Sequence, residues 1–202
     1  VPGREPEVLG RTIHADDAQD ALVALGKILP DPGHVARGLT HHLIVAHEVT
    51  NVGNDRAQLA NMSRQAKDAM GSEELRVVAD RGYFSGPEIL ACEEAGITPY
   101  VPKTQTSGNQ AKGLFGKRDF IYIAKDDAYE CPAGERLSYR CTTEDNGKVI
   151  HRYWSSVCVN CKLKPKCTTG KERRVSRWEH EAVLEDMEDR VDRMSNCMRI
   201  RG

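Results

Sequence analysis

Apolar positions along the chain change period several times, and each change marks an element. Between Ala15 and Leu29, Ala18, Leu22, Leu25 and Ile28/Leu29 recur at helical spacing, with acids early and Lys27 late. That pattern predicts an amphipathic helix over 15–29. Pro30, Asp31, Pro32 and Gly33 would stop it, and the rest of residues 1–40 reads as loop. The run HHLIVAHEVT, His41 to Thr50, is apolar and β-branched and predicts a strand. Leu59, Met62, Ala66 and Ala69/Met70 then share one helical face, with Asn54 or Asp55 as the expected cap and Gly71 closing the helix. Leu75 to Ala79 is a short buried strand that delivers Asp80, and Gly82 breaks the chain two residues later.

Ser85 and Glu88 have the spacing of a capping box. The helix they open would bury Ile89, Leu90 and Cys92 and end at Gly96. Ile97 to Val101 is a short strand that Pro99 confines to a sheet edge. Residues 41–103 therefore alternate strand, helix, strand, helix, strand, which implies a parallel or mixed sheet with covering helices. In such sheets chemistry sits beyond the carboxyl ends of the strands, the place given to Asp80. Residues 103–118 are polar and glycine-rich and read as loop. Strand-like pieces follow around Tyr122, Tyr129, Tyr139 and Tyr153-Trp154, with turns at Pro132–Gly134 and Asn146-Gly147. From residue 179 onward Val183, Leu184, Met187, Val191 and Met194 mark a last helical face. The organisation expected is a divergent segment 1–40, a core part 41–103, a cysteine-rich basic insert 104–178 and a C-terminal helix in 179–202.

Composition narrows the function classes. The chain has 202 residues, 39% hydrophobic, 5% aromatic and 29% charged, with a formal net charge of -1. The total charge does not mark a nucleic-acid binder, so only local charge can. No apolar run reaches the roughly 18 residues needed to span a bilayer. No export signal is visible at the start, and a cytoplasmic location is expected. There the seven cysteines are expected as reduced thiols or metal ligands rather than disulfides. Both ends, Val1 and Gly202, read as cut.

Three constellations could carry chemistry. Cys158 and Cys161 have knuckle spacing for a tetrahedral metal, Cys167 can return as a third ligand, and Cys131, beside Pro132-Ala133-Gly134, would be the fourth. Cys141 competes with Cys131 for that place. Structural Zn²⁺ is the ion this set would hold. Lys162, Lys164, Lys166, Lys171, Arg173, Arg174 and Arg177 crowd one window with Glu172 as its only acid, flanked by Trp154 and Trp178. Such a stripe suits phosphate contacts, while a solvated surface run is the plainer reading. Asp80 is either a turn residue or a carboxylate for paired Mg²⁺ ions in phosphoryl transfer. Paired ions need further acids, and the options are Asp31, Glu48 and Asp55 upstream and Glu179, Glu181 and Glu185 downstream. His34, His41, His42 and His47 read as surface or strand residues.

The order of these segments carries a resemblance. It rests on residues 42–51 (HLIVAHEVTN), 77–84 (VVADRGYF), 92–102 (CEEAGITPYVP), 131–135 (CPAGE) and the Cys158/Cys161/Cys167 cluster. Over roughly residues 40–201 the chain resembles bacterial insertion-sequence transposases of the DDE type. The resemblance implies an α/β fold: an incomplete RNase H-like mixed sheet with flanking helices, plus a small cysteine-rich β insert. It implies DNA as partner, with transposon ends and target both bound, a homo-oligomer, and Mg²⁺ or Mn²⁺ as cofactor for strand cleavage and transfer. Asp80 is then the second of three catalytic acids. The Asp-Gly-Thr segment that holds the first acid in the family does not occur, and the third would lie just beyond Met198–Arg201. The chain is accordingly expected to be a truncated, inactive copy, or a non-catalytic zinc-stabilised DNA-binding fragment. The resemblance implies an early hairpin carrying the first acid, here missing or altered, which should leave the strand at His41–Thr50 with an unpaired edge, a cause of association and poor solubility.

Overall fold

In the computed structural model, residues 22–28, 33–38, 43–49, 55–104 and 108–193 are described. The chain folds as two compact units: residues 1–104 with 183–202, and residues 105–182. Each carries one five-stranded sheet, and three α-helices are present among the described residues, so the fold is mixed α/β.

The sheet of the first unit has the order β3-β2-β1-β4-β5. Its first strand, β1 (Leu22–Ile28), falls where a helix is predicted from the spacing. The reason is tertiary. Val23, Ala24 and Leu25 are all buried, which a one-sided helix does not need but a central strand does. β1 pairs antiparallel with β2 (Gly33–Gly38) and parallel with β4 (Leu75–Val78). Two ladders of backbone hydrogen bonds outweigh the weak helical preference of a Leu/Ala run that contains Gly26. Residues 15–21 of the predicted helix lie outside the described residues. β3 (Ile44–Val49) is a strand as predicted and pairs antiparallel with β2. It forms one edge of the sheet among the described residues. β5 (Ile97–Tyr100) forms the other, pairing parallel with β4 so that Pro99 stands opposite Val77.

Two helices cover this sheet. α1 (Leu59–Met70) buries Leu59, Met62 and Ala66 and ends at Gly71, whose φ of 60° is left-handed. Its N-cap is Gln58, without a side-chain bond, rather than Asn54 or Asp55. The orphan N–H of Ala60 instead donates to Glu88 Oε2 at 2.9 Å. Glu88 belongs to α2 (Gly86–Glu94), so the predicted capping box is not made: Ser85 forms no side-chain cap bond, and its Glu serves the neighbouring helix. α2 buries Ile89 and Cys92 and hands over to β5 through Gly96, at φ 66°. Lys67 ties the helices at their far ends, donating to the Ala95 carbonyl at 2.6 Å. α3 (Glu181–Arg193) places Leu184 and Met187 in the core. It is fixed by Lys103–Glu188 and Arg190–Glu93 ion pairs.

The second unit is an antiparallel sheet of order β10-β9-β8-β7-β6. Its strands are β6 (Ile121–Ile123), β7 (Ala128–Glu130), β8 (Arg136–Asp145), β9 (Lys148–Trp154) and β10 (Val175–Trp178). Asn146 and Gly147, at φ 51° and 72°, form the two-residue hairpin loop between β8 and β9. Positive φ at both positions is what such a turn demands. Phe120, Tyr129, Leu137, Tyr153 and Val175 form its core. The six described cysteines are all free. No helix among the described residues is long and apolar enough to cross a membrane.

Candidate functional site

In the first unit the candidate position is the loop after β4. Apolar Val77, Val78 and Ala79 are buried, and the chain then surfaces at Asp80. Asp80 caps a short 3₁₀ turn (Arg81–Tyr83), its Oδ1 accepting from Gly82 N–H at 2.8 Å. This turn function and a catalytic one are compatible, because the second carboxylate oxygen remains. Carrying the parallel β1–β4 register two residues onward sets Gly26 level with Asp80. The described hairpin strands β1 and β2 contain no Asp or Glu at all.

A second carboxylate does approach the same loop. A Cβ added at Gly82 would meet Asp80 Oδ1 at 2.9 Å and Asp55 Oδ2 at 3.4 Å. Asp55 Oδ1 in turn lies 3.8 Å from His34 Nε2. His34 is a strand residue, on β2, and a buried one: it is 1% exposed, and its Nδ1 sits 2.8 Å from the Tyr83 hydroxyl. Its ring meets the Tyr83 ring edge-on. Its partner stands 49 positions away, so no local pattern could reveal this. The other upstream acids do not join. Glu48 accepts from Asn61 and Gln65 at 2.5 and 2.7 Å, and Asp31 lies outside the described residues. Downstream, Glu181 is buried in the second unit, bonded to Lys117 and to the Trp178 N–H. Glu179 lies 3.7 Å from His180, and Glu185 is exposed on α3. His47 is exposed on β3, and His41 and His42 lie outside the described residues.

A pair of Mg²⁺ ions needs several oxygen donors in near-octahedral arrangement. Asp80 and Asp55 both approach this loop, and one oxygen of Asp80 is already engaged by Gly82. Among the described residues no group of three or more His, Cys, Asp or Glu is set to hold a metal ion as it stands. Among the described residues the loop thus offers fewer donors than a two-metal centre needs, and no step through metal follows from it.

In the second unit, Cys131, Cys158, Cys161 and Cys167 line one cavity with Phe115, Phe120, Leu137, Lys164 and Arg173. Cys141 is not part of it. It stands on β8 at a bulge in the pairing with β9. Burial pushes the Cys167 thiol up; Arg173 opposes that, and Cys158, Cys131 and Cys161 add to it. Cys131, Cys158 and Cys161 each open a turn closed three residues on, by the N–H groups of Gly134, Cys161 and Lys164.

The basic stripe separates into exposed and engaged members. Lys162, Lys166 and Lys171 are exposed. Arg174 is exposed too, paired with Glu172 at 2.9 Å and lying 4.9 Å over the Trp154 ring. Lys164 and Arg173 help to line the cysteine cavity, and the Arg173 guanidinium lies over Phe120. Arg177 must be removed from the expected phosphate-binding set. It is 8% exposed, 3.7 Å over the Tyr122 ring, and donates to the Tyr129 hydroxyl at 3.3 Å. Beneath it Tyr122 and Tyr153 both donate to Asp127 Oδ1, at 2.8 and 2.7 Å. Burial and that bond to a carboxylate raise both phenols above their usual range.

No protein-family model, curated protein or solved structure matches the chain.

Proposed function

We propose that the chain is a transposase-family protein of the DDE type whose partner is DNA, with its larger unit an incomplete RNase H-like sheet. One observation carries this reading. A sheet that opens with an antiparallel hairpin continues through parallel β4 and β5, and Asp80 emerges just past β4, beside the central strand β1. That is where the resemblance expects the second acid. The β1–β2 hairpin precedes β4 and holds no acid among its described residues, with Gly26 level with Asp80. With Asp55 near Asp80 and no third acid grouped with them among the described residues, the chain is expected not to cleave DNA unaided. A nicking assay on supercoiled DNA with Mg²⁺ or Mn²⁺ tests this. Activity that disappears in Asp80→Ala would overturn the inactive reading.

The exposed cations favour a second, narrower reading: a non-catalytic DNA-binding fragment. Lys162, Lys166, Lys171 and Arg174 are exposed, with Trp154 beneath Arg174, which suits phosphate contacts. Phosphate contacts release counterions, so affinity should fall steeply with salt. A titration of duplex binding against salt that gave no slope would remove DNA as the partner of this surface.

A further inference from the structure

We infer that Cys131, Cys158, Cys161 and Cys167 form a tetrathiolate site for one Zn²⁺ ion, with Arg173 as its charge-compensating positioning residue and Cys141 outside it. This does not rest on the transposase reading.

The first argument is convergence. The four thiols come from three separate pieces of chain: the turn after β7, the 3₁₀ turn Ser156–Asn160 with Cys161 after it, and the turn Lys164–Lys166 that ends at Cys167. Among the described residues, no strand or α-helix lies between Trp154 and Val175. Such a stretch buries little apolar surface of its own, and short loop-rich pieces are commonly held by a metal. The four sulfurs nevertheless line one cavity while Cys141, only ten residues beyond Cys131 in sequence, does not.

The second argument is size and chemistry. The cavity has a volume of about 20 Å³. That admits one small ion or water and no organic ligand. Among the described residues no carboxylate or imidazole lines it, so the donor set is soft sulfur throughout. Thiolates in that number select Zn²⁺ over Mg²⁺, Ca²⁺ or Mn²⁺. Cys131, Cys158 and Cys161 each open a tight turn closed on its own carbonyl, a backbone that is compatible with such ligands.

The third argument is Arg173. Arg173 lines the cavity, its guanidinium lies over the Phe120 ring, and its Nε is buried without a hydrogen-bond partner. A buried donor left unsatisfied is costly, and a thiolate acceptor would resolve it. Four thiolates around Zn²⁺ carry two negative charges in excess. Arg173 and Lys164, which both line the cavity, supply two positive ones. Two disulfides would be neutral and would leave these cations without that counter-charge. As the ion binds, each thiol releases its proton to solvent, and no redox step is involved.

The experiment is metal analysis of the full chain purified without chelator, followed by anaerobic reduction and titration with Co²⁺ and Zn²⁺. The expected result is about one zinc per chain and a Co²⁺ spectrum with thiolate charge-transfer and intense tetrahedral d–d bands. Cys141→Ser should change neither. Cys131→Ser should weaken the charge-transfer band and the Zn²⁺ affinity. Arg173→Ala should keep the Co²⁺ spectrum and lose roughly 10- to 100-fold in Zn²⁺ affinity, with partial rescue in Arg173→Lys. A merely structural arginine would not weaken the metal while leaving its spectrum unchanged. The inference is overturned by zinc near zero both as purified and after reconstitution, by disulfides persisting in the presence of zinc, or by Cys141→Ser behaving like Cys131→Ser. Unchanged affinity in Arg173→Ala overturns the role given to Arg173.

Discussion

Arg177 shows how burial reassigns a charge. By sequence it belongs with Lys162, Lys166 and Lys171, but its place in β10 turns it inward onto Tyr122 and Tyr129. A desolvated cation over an aromatic ring is worth about 2 kcal/mol. Arg177→Ala is therefore expected to destabilise the smaller unit by about 1–3 kcal/mol and leave the salt slope of DNA binding unchanged. Lys166→Ala should do the reverse, with no loss of stability and a slope smaller by about 0.9. Denaturant melts paired with salt titrations separate the two. Cys92 gives a pH prediction. Burial pushes its thiol up from 9.0 to about 12, with Glu88 and Glu93 adding and Ser63 and Arg64 opposing. The folded state keeps the proton that the unfolded chain releases. Its contribution is thus full below pH 9 and is lost as pH rises toward 12. Between those limits stability should fall by up to about 1.4 kcal/mol per pH unit. Urea melts at about pH 8.5 and 10.5 should show a steeper fall for the native protein than for Cys92→Ala.

Elements are legible where one period dominates. His41–Thr50, Leu75–Ala79 and Ile97–Val101 are short apolar runs bounded by breakers, and all contain strands. The face of α1 and the Asn146-Gly147 hairpin are equally plain. β1 is not, because Leu22, Leu25 and Ile28 satisfy a helical spacing while the run Leu22–Leu25 also suits a strand buried on both faces. Only its pairing with β2 and β4 decides, and pairing is non-local. For the same reason Asp80 can be read from the residues before it, whereas His34 cannot. The convergence of Cys131, rather than Cys141, with the three later cysteines likewise needs the turn after β7. The outer strand β3 leaves Ile44 63% and Val49 68% exposed. Apolar edges of this kind pair with other chains, and a lysine on the edge blocks it. Ile44→Lys is expected to shift the protein toward monomer in sedimentation experiments, with its melting midpoint nearly unchanged.

At the scale of the molecule, one unit is interrupted by the other in sequence: residues 105–182 fold between the two segments of the larger unit. Their cores are built separately, around Val23, Met62, Ile89 and Met187 in one and around Phe120, Tyr129 and Tyr153 in the other. Calorimetry should therefore resolve two transitions. A zinc chelator should lower the one belonging to the smaller unit and leave the other in place. The bond from Ala60 to Glu88 adds a constraint of a different kind, on the order of events during synthesis. The group that completes the first turn of α1 is translated 28 residues after the turn itself. At about 5–20 residues per second, that is a delay of roughly one to six seconds. For that interval the nascent helix has an open N-terminus, which a chaperone or protease near the ribosome can reach before α2 arrives to close it.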